Sequence, residues 1–269
     1  MALPLRDDER THRMPWITLA LIAANVLVFL FIQPAGFQGG GIQRPEDQNR
    51  FWQAQEQEQF VYRWGAVACE ITTGKALAQD PKGCKESRDR PDDPPAGKSV
   101  ALALFTAMFL HGNIEHLAGN MLFLWVFGSA VEDRLGRINY LGLYLLGGML
   151  ATLGYVAVNS RSPVPLVGAS GAIAVAMGAY LVLLPRGRIL TVIVTAAFQV
   201  VYIPAAVVLL LFFVTQFFTD PSQQVAWEAH AAGMIVGALA ALVLGRIPAV
   251  RRRAREDAAD AKLRAGTAF

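Results

Sequence analysis

The chain has 269 residues, of which 54% are hydrophobic and 17% charged, and its formal net charge is +3. Soluble domains carry about a quarter charged residues, so this composition favours a membrane protein. It excludes a disordered chain, which would be rich in charge, and two cysteines are too few for a small disulfide scaffold.

The apolar residues are gathered into long runs, and a membrane-spanning helix needs about 20 of them. In chain order, the runs that each predict one span lie at residues 16–32, 117–131, 140–158, 165–184 and 225–244. Basic residues before the first run would also fit a signal peptide. No small-residue cleavage site follows that run, so we predict a retained span.

A further run, at residues 189–218, is too long for one span, because it would form about 45 Å of helix across a hydrocarbon core of about 30 Å. Its first half, 189–203, is rich in β-branched residues, which favour strands. Pro204 suits a helix start. We therefore predict an interfacial connection over 189–203, a short span over 204–218, and six spans in all.

Basic residues are unevenly distributed between the connections, which predicts the orientation of the chain. The two short loops at 159–164 and 219–224 contain one basic residue, Arg161, whereas the segments on the other side contain most of the arginines. Both termini are therefore predicted to be cytoplasmic. The resulting parts are an N-terminal tail, a six-span membrane domain and a basic C-terminal tail, at 1–15, 16–247 and 248–269. The lipid bilayer is the expected partner of the basic tail, and nucleic acid is not.

A long polar loop, 33–99, separates the first two spans and faces outward in this orientation. It contains both cysteines, Cys69 and Cys84, on the oxidising side of the membrane. A disulfide would contribute about 3 kcal/mol for a closed loop of about 15 residues, and two free thiols are the alternative. The next stretch, 100–110, is apolar but too short to span, which predicts membrane-surface or re-entrant structure.

Polar side chains are costly within a bilayer, so those inside the spans indicate function. His116 and Asn120 share one face of the second span, Ser170 lies near the start of the fourth, and His230 lies near the start of the last. All three spans cross from outside to inside, so we expect these side chains at a similar depth below the outer surface. The sequence has no zinc-ligand spacing or phosphate loop, and we expect no metal and no cofactor.

These residue types fit acyl transfer. A serine hydroxyl becomes a good nucleophile when a base accepts its proton, and histidine is the usual base near neutral pH. We therefore predict Ser170 as nucleophile and His230 as general base, with an oxyanion hole formed by His116, Asn120 and the Ser170 amide. Glu228 lies two residues from His230 and points to nearly the opposite helix face, so we expect a Ser–His dyad without an orienting carboxylate.

Glycines accompany both members of the predicted dyad. Gly233 and Gly237 share a helix face with the histidine, and Gly168 and Gly171 lie beside the serine. Small residues let helices approach closely in membranes. We predict that these four glycines pack helices together and bring the two reacting side chains within hydrogen-bond reach.

The pattern resembles the rhomboid family of intramembrane serine proteases. The matching motifs are His111-x4-His116-x3-Asn120-Met121, Val131-Glu132-Asp133-Arg134-Leu135-Gly136, Gly168-Ala169-Ser170-Gly171 and Ala229-His230-x2-Gly233-x3-Gly237. The resemblance implies an all-α, polytopic bundle of six transmembrane helices. It also implies that Ser170 and His230 cleave transmembrane segments of other membrane proteins near the outer face, without a metal or cofactor. We expect a multi-pass integral membrane protein of a bacterial cell membrane.

Two departures from the family pattern concern the base and the first loop. Many rhomboids have an aromatic residue four positions after the serine that packs on the histidine, and here that residue is Ala174. Another aromatic side chain, such as Trp227, would then hold the base. The Trp–Arg pair found in the first loop of some members is not evident, because Arg63 and Trp64 have the reverse order.

Two other functions compete with proteolysis. A catalytically silent rhomboid-like protein would bind membrane proteins without cutting them, and it should lack the serine or the histidine. A transporter that uses buried histidines should have inverted repeats or paired broken helices, which we do not find in the sequence. Each polar residue alone would also fit helix packing, but their conjunction at one depth favours the protease.

Overall fold

The structure is a computed structural model of this chain. It describes residues 2–7, 13–34, 48–80, 82–85, 93–194, 198–218 and 226–266. Most of these residues are helical, and long apolar helices pack side by side as in a membrane bundle, which confirms the predicted fold class.

Three of the described helices are long and apolar enough to cross a membrane. The first is continuous over Ile114–Leu135 and consists of α5 (Ile114–Phe123), a π-helical segment (Leu124–Gly128) and α6 (Ser129–Leu135). The others are α7 (Arg137–Val158) and α10 (Trp227–Leu244). Each coincides with a predicted span to within a few residues.

Four apolar helical segments are shorter. They are α1 (Trp16–Leu27), continued by a π-helical segment to Ile32, α4 (Val100–Thr106), continued by a 3-10 turn to Phe109, α8 (Ser170–Leu183) and α9 (Ala205–Thr215), continued by a 3-10 turn over Gln216–Phe218. The 14 residues of α8 form only about 21 Å of helix. The total of six spans therefore stays a prediction.

The fourth predicted span is wrong at its start. The sequence predicts a start at residue 165, but Pro165–Leu166 form strand β3, which pairs with β2 (Ala66–Val67). The chain then turns at Gly168, whose φ of +125° is rarely adopted by other residues, and α8 begins at Ser170. As a result Ser170 is the first residue of its helix rather than a residue one turn inside it.

A small antiparallel sheet occupies the predicted interfacial connection. Strands β4 (Arg188–Val194) and β5 (Phe198–Pro204) pair with each other, and β1 (Ala2–Asp7) pairs with the other edge of β4. The β-branched residues of this stretch account for the strands. Helix α9 follows Pro204 directly, as predicted, and this sheet is the main departure from an all-α chain.

The described part of the long first loop has its own small core. Helices α2 (Gln48–Trp64) and α3 (Ala68–Thr73) bury Tyr62 and Leu77 around a disulfide between Cys69 and Cys84, whose Cα atoms are 5.2 Å apart. Next to it the buried ammonium of Lys98 pairs with Glu70. Burial lowers the pKa of Lys98, and the charge of the glutamate opposes that shift.

The last helix, α11 (Pro248–Gly266), lies in the predicted basic tail. It packs against the end of the bundle that contains α6, where Arg134 pairs with Asp257 at 3.3 Å. Arg13 also bridges this region, because its guanidinium lies 3.4 Å from both Asp133 and Glu256. The boundaries of the predicted tails and membrane domain stay predictions, and the predicted outer loop at 219–224 lies outside the described residues.

Candidate active site

Ser170 and His230 meet at the N-terminal ends of two neighbouring helices. The Ser170 Oγ atom lies 2.7 Å from His230 Nε2, a normal hydrogen-bond distance. Ser170 is the first residue of α8 and His230 lies in the first turn of α10, and the histidine is only 6% exposed. The two side chains singled out from the sequence, 60 residues apart, therefore form one polar contact inside an apolar bundle.

The contact depends on the close approach of α8 and α10 at glycines. A Cβ atom on Gly237 would overlap the carbonyl oxygen of Val175, and one on Gly233 would lie 2.6 Å from the carbonyl oxygen of Gly171. Larger side chains at either position would push the helices apart. Gly178, on α8, is equally close to the backbone of α10.

A side chain added at Gly171 or Gly168 would point at residues outside α10. A Cβ on Gly171 would lie 3.3 Å from the Cβ of Ala151, so this glycine faces α7. Gly168 lies in the turn before α8 and does not pack helices, which corrects its predicted role. A Cβ there would lie 2.9 Å from the ring of His116 and 3.7 Å from the Asn120 amide nitrogen. Gly168 thus leaves room for these side chains beside the serine.

His116 and Asn120 both present hydrogen-bond donors near the serine. The Gly112 N–H donates to His116 Nδ1 at 3.4 Å, so in the neutral ring the proton lies on Nε2, which faces Gly168. Asn120 is 8% exposed, and its Nδ2 has no acceptor among the described residues. The Ser170 N–H adds a third donor, because the first amides of a helix have no partner within it.

The helix that carries these donors is held at its start by local bonds. The Asn113 side chain caps α5 by accepting a hydrogen bond from His116 N at 2.6 Å. His111, whose role the sequence left open, is fully buried with its ring 5.3 Å from that of His116. Its backbone N–H and C=O both bond to the Gln33 side chain at 3.0 Å, which ties this turn to the end of the first helix.

The base is held by two residues that the sequence reasoning missed. Phe212 packs on the His230 ring with a centroid distance of 5.9 Å, and Gln216 Oε1 lies 2.6 Å from His230 Nδ1. Trp227, the sequence-based candidate, is 40% exposed. A signal was available, because Gln216 is a polar amide in a predominantly apolar predicted span, and the serine was singled out by the same criterion.

A small cavity opens beside Ser170. It is lined mainly by small and apolar residues, among them Met108, Leu166, Gly171 and Ala229. Its volume of about 10 Å³ admits little more than one water-sized group. The described residues contain no group of three or more side chains that could hold a metal ion.

Comparison with known proteins identifies the family. A family model described as Rhomboid domain matches residues 98–247, more than half of the chain. The chain therefore belongs to the rhomboid family and is an integral membrane protein, which confirms the resemblance drawn from the motifs.

This chain aligns with only part of the length of each named relative. The chain is 35% identical over 144 residues to Rhomboid protease GluP of Bacillus subtilis, covering 53% of this chain and 26% of that protein. It is 34% identical over 97 residues to Presenilin-associated rhomboid-like protein A, mitochondrial, of Danio rerio, covering 35% and 25%. It is 34% identical over 93 residues to Rhomboid protein 1, mitochondrial, of Saccharomyces cerevisiae, covering 33% and 27%. The chain thus spans about a quarter of the length of these relatives.

Proposed function

We propose that this protein is an intramembrane serine endopeptidase that uses a Ser–His dyad to cleave transmembrane segments of other membrane proteins. The observation that carries the proposal is the 2.7 Å contact between Ser170 Oγ and His230 Nε2 within an apolar helical bundle. Three hydrogen-bond donors gathered beside the serine support it, and so does the similarity to Rhomboid protease GluP of Bacillus subtilis.

In the proposed reaction, Ser170 Oγ attacks the carbonyl carbon of the scissile peptide bond while His230 Nε2 takes the hydroxyl proton. The oxyanion is bound by the Ser170 N–H, His116 Nε2–H and Asn120 Nδ2–H, which stabilise charge that develops only in the transition state. The imidazolium then gives its proton to the leaving nitrogen as the C–N bond breaks. Water, deprotonated by the same histidine, hydrolyses the acyl-enzyme and restores the serine.

The proposed orientation has both termini in the cytoplasm and cleavage near the outer face of a bacterial cell membrane. Two independent features support it. The basic helix α11 follows the end of α10, and the sheet that contains β1 follows the end of α8. Both therefore lie at the end of the bundle opposite the serine. The disulfide-bonded first loop contacts the Ser170 side, where the Cys69 N–H donates to Ser162 O at 3.1 Å. In this proposal the basic end contacts the bilayer surface and transmembrane substrates reach the serine end.

The proposal is tested by cleavage of a generic single-span substrate after reconstitution into liposomes. Wild-type protein should cut the substrate, and Ser170→Ala and His230→Ala should each lose most of the activity. Ser129→Ala is the matched control, because that serine, the first residue of α6, donates to the Trp125 carbonyl oxygen, away from the site. A fluorophosphonate probe should label wild type at Ser170.

Two outcomes would contradict the proposal. Cleavage that persists in Ser170→Ala would remove the serine mechanism. Wild-type protein that binds the substrate segment, yet neither cuts it nor reacts with the fluorophosphonate, would instead be a catalytically silent rhomboid-like binder.

A further inference from the structure

Helix α9, taken with the 3-10 turn Gln216–Phe218 that continues it, contacts the proposed base through two side chains one turn apart. The Phe212 ring lies against the His230 imidazole, and Gln216 Oε1 lies 2.6 Å from its Nδ1. Gln216 is 9% exposed, so this amide is withdrawn from solvent together with the ring it touches.

The hydrogen bonds of the Gln216 amide determine which ring nitrogen carries the proton. Its Nε2 donates to the Phe212 carbonyl oxygen at 3.4 Å, which leaves Oε1 facing His230 Nδ1. A carbonyl oxygen can only accept, so Nδ1 must be the protonated nitrogen of the neutral ring. The lone pair then lies on Nε2, 2.7 Å from Ser170 Oγ, which is the form a general base requires.

We propose that Gln216 is a positioning residue that holds His230 in the Nδ1-protonated tautomer. His230 can then act as the base only while α9 is packed against it. The proposal rests on the proposed protease function. It assigns to an amide on α9 the orienting task that a carboxylate performs in a Ser–His–Asp triad.

The packing of α9 explains why its position matters. Its buried residues, Ala205, Val208 and Leu209, lie in its first half, next to the sheet. In its second half, Phe212 contacts Phe123 of α5, with ring centroids 4.9 Å apart, and the base. An outward displacement of this second half would remove the Phe212 ring and the Gln216 acceptor from His230 in one movement.

The test compares Gln216→Met with Gln216→Glu. Methionine keeps the bulk and removes the acceptor, whereas glutamate keeps an acceptor oxygen at the same place. We expect Gln216→Met to lower kcat and the rate of fluorophosphonate labelling roughly 10- to 100-fold, with KM and the thermal unfolding temperature unchanged. Gln216→Glu should recover the rate to within a few-fold of wild type.

Thr215→Val is the matched control. Thr215 Oγ1 donates to the same Phe212 carbonyl oxygen at 2.8 Å but lies on the exposed side of α9, so its loss should leave the rate unchanged. A rate that falls equally in the Thr215 and Gln216 variants would assign the effect to the helix backbone and overturn the proposal.

A second readout does not depend on turnover. In Ser170→Ala protein labelled with 15N-histidine, the His230 signals should report a protonated Nδ1, and Gln216→Met should shift the population toward the Nε2-protonated form. Wild-type protein that shows no labelling or cleavage contradicts the protease itself. If wild-type protein is active and Gln216→Met is equally active, only the role of Gln216 is contradicted. The same holds if Gln216→Glu fails to restore the activity lost in Gln216→Met.

Discussion

Glu132 caps the first helix of the bundle by accepting two hydrogen bonds from Thr18. The Thr18 backbone N–H and hydroxyl both lie 2.8 Å from Oε2, and the Ile17 N–H lies 3.0 Å from Oε1. The first amides of a helix lack partners within it, and a carboxylate there also complements the helix dipole. The glutamate of the rhomboid-like motif thus joins α6 to α1 at the end opposite the serine.

We expect Glu132→Gln to destabilise the protein, because one carboxylate oxygen becomes an NH2 group that faces backbone donors instead of accepting from them. A loss of about 2–3 kcal/mol is expected for buried, charge-assisted hydrogen bonds of this kind. Thermal unfolding in detergent measures it. Glu256→Gln is the control, since that exposed carboxylate pairs with Arg13 at the surface and should change stability by less than about 1 kcal/mol. Equal stability of the two variants would contradict the capping role.

We expect Asn120→Ala to lower kcat about 100- to 1,000-fold, the usual effect of removing one oxyanion donor, with little change in KM. The physical reason is its Nδ2 donor beside Gly168, which no described residue accepts from. Steady-state cleavage in liposomes measures both constants. Asn139→Ala is the control, because its amide bonds to the Leu135 carbonyl oxygen at 3.0 Å in the first turn of α7, at the end of the bundle opposite the serine. A change confined to KM would assign Asn120 to substrate binding.

We expect Gly237→Ala to separate α8 from α10, because the added methyl would overlap the Val175 carbonyl oxygen. Overpacking of this kind costs about 1–3 kcal/mol of stability. It should also lengthen the Ser–His contact and slow fluorophosphonate labelling. In Gly142→Ala the methyl meets open space, so this variant should be neutral or slightly stabilising. Labelling at the wild-type rate in Gly237→Ala would show that the dyad tolerates a wider helix separation.

We expect the bond between Cys69 and Cys84 to be present in protein exported to an oxidising compartment. Mass mapping without reductant should find a linked peptide pair and no alkylated thiol. The Cys69→Ser, Cys84→Ser double variant should destabilise the first loop by about 3 kcal/mol in the chain-entropy model and leave the dyad in place. Two fully alkylatable thiols in the native protein would contradict the bond.

The reacting residues could be predicted from the sequence, because a polar residue within an apolar run can be recognised without a structure. Ser170, His230, His116 and Asn120 were selected in this way, and the structure brings them to one end of the bundle. Gln216 meets the same criterion. Its role could not be predicted from residues near His230 in the chain, because the partner of the histidine comes from another helix.

Other errors of the sequence reasoning arise from backbone geometry. The sequence predicts Gly168 as a helix-packing residue, but its φ of +125° places it in a turn. A glycine in an apolar run gives no signal that separates a turn from a helix contact. The start of α8 could not be predicted either. The apolar run continues through the paired strand at Pro165–Leu166, so it does not mark where the helix begins.

The sheet has a consequence for the order of assembly. Strand β1 at Ala2–Asp7 pairs with β4, with Ala2 opposite Ile193. A ribosome must therefore synthesise most of the helices before that strand has a partner. Contacts between such distant segments form late, since loop-closure entropy opposes them until the intervening chain is in place. The strand would then pair with β4 only after most of the bundle has been synthesised, as one of the last contacts of the fold to form.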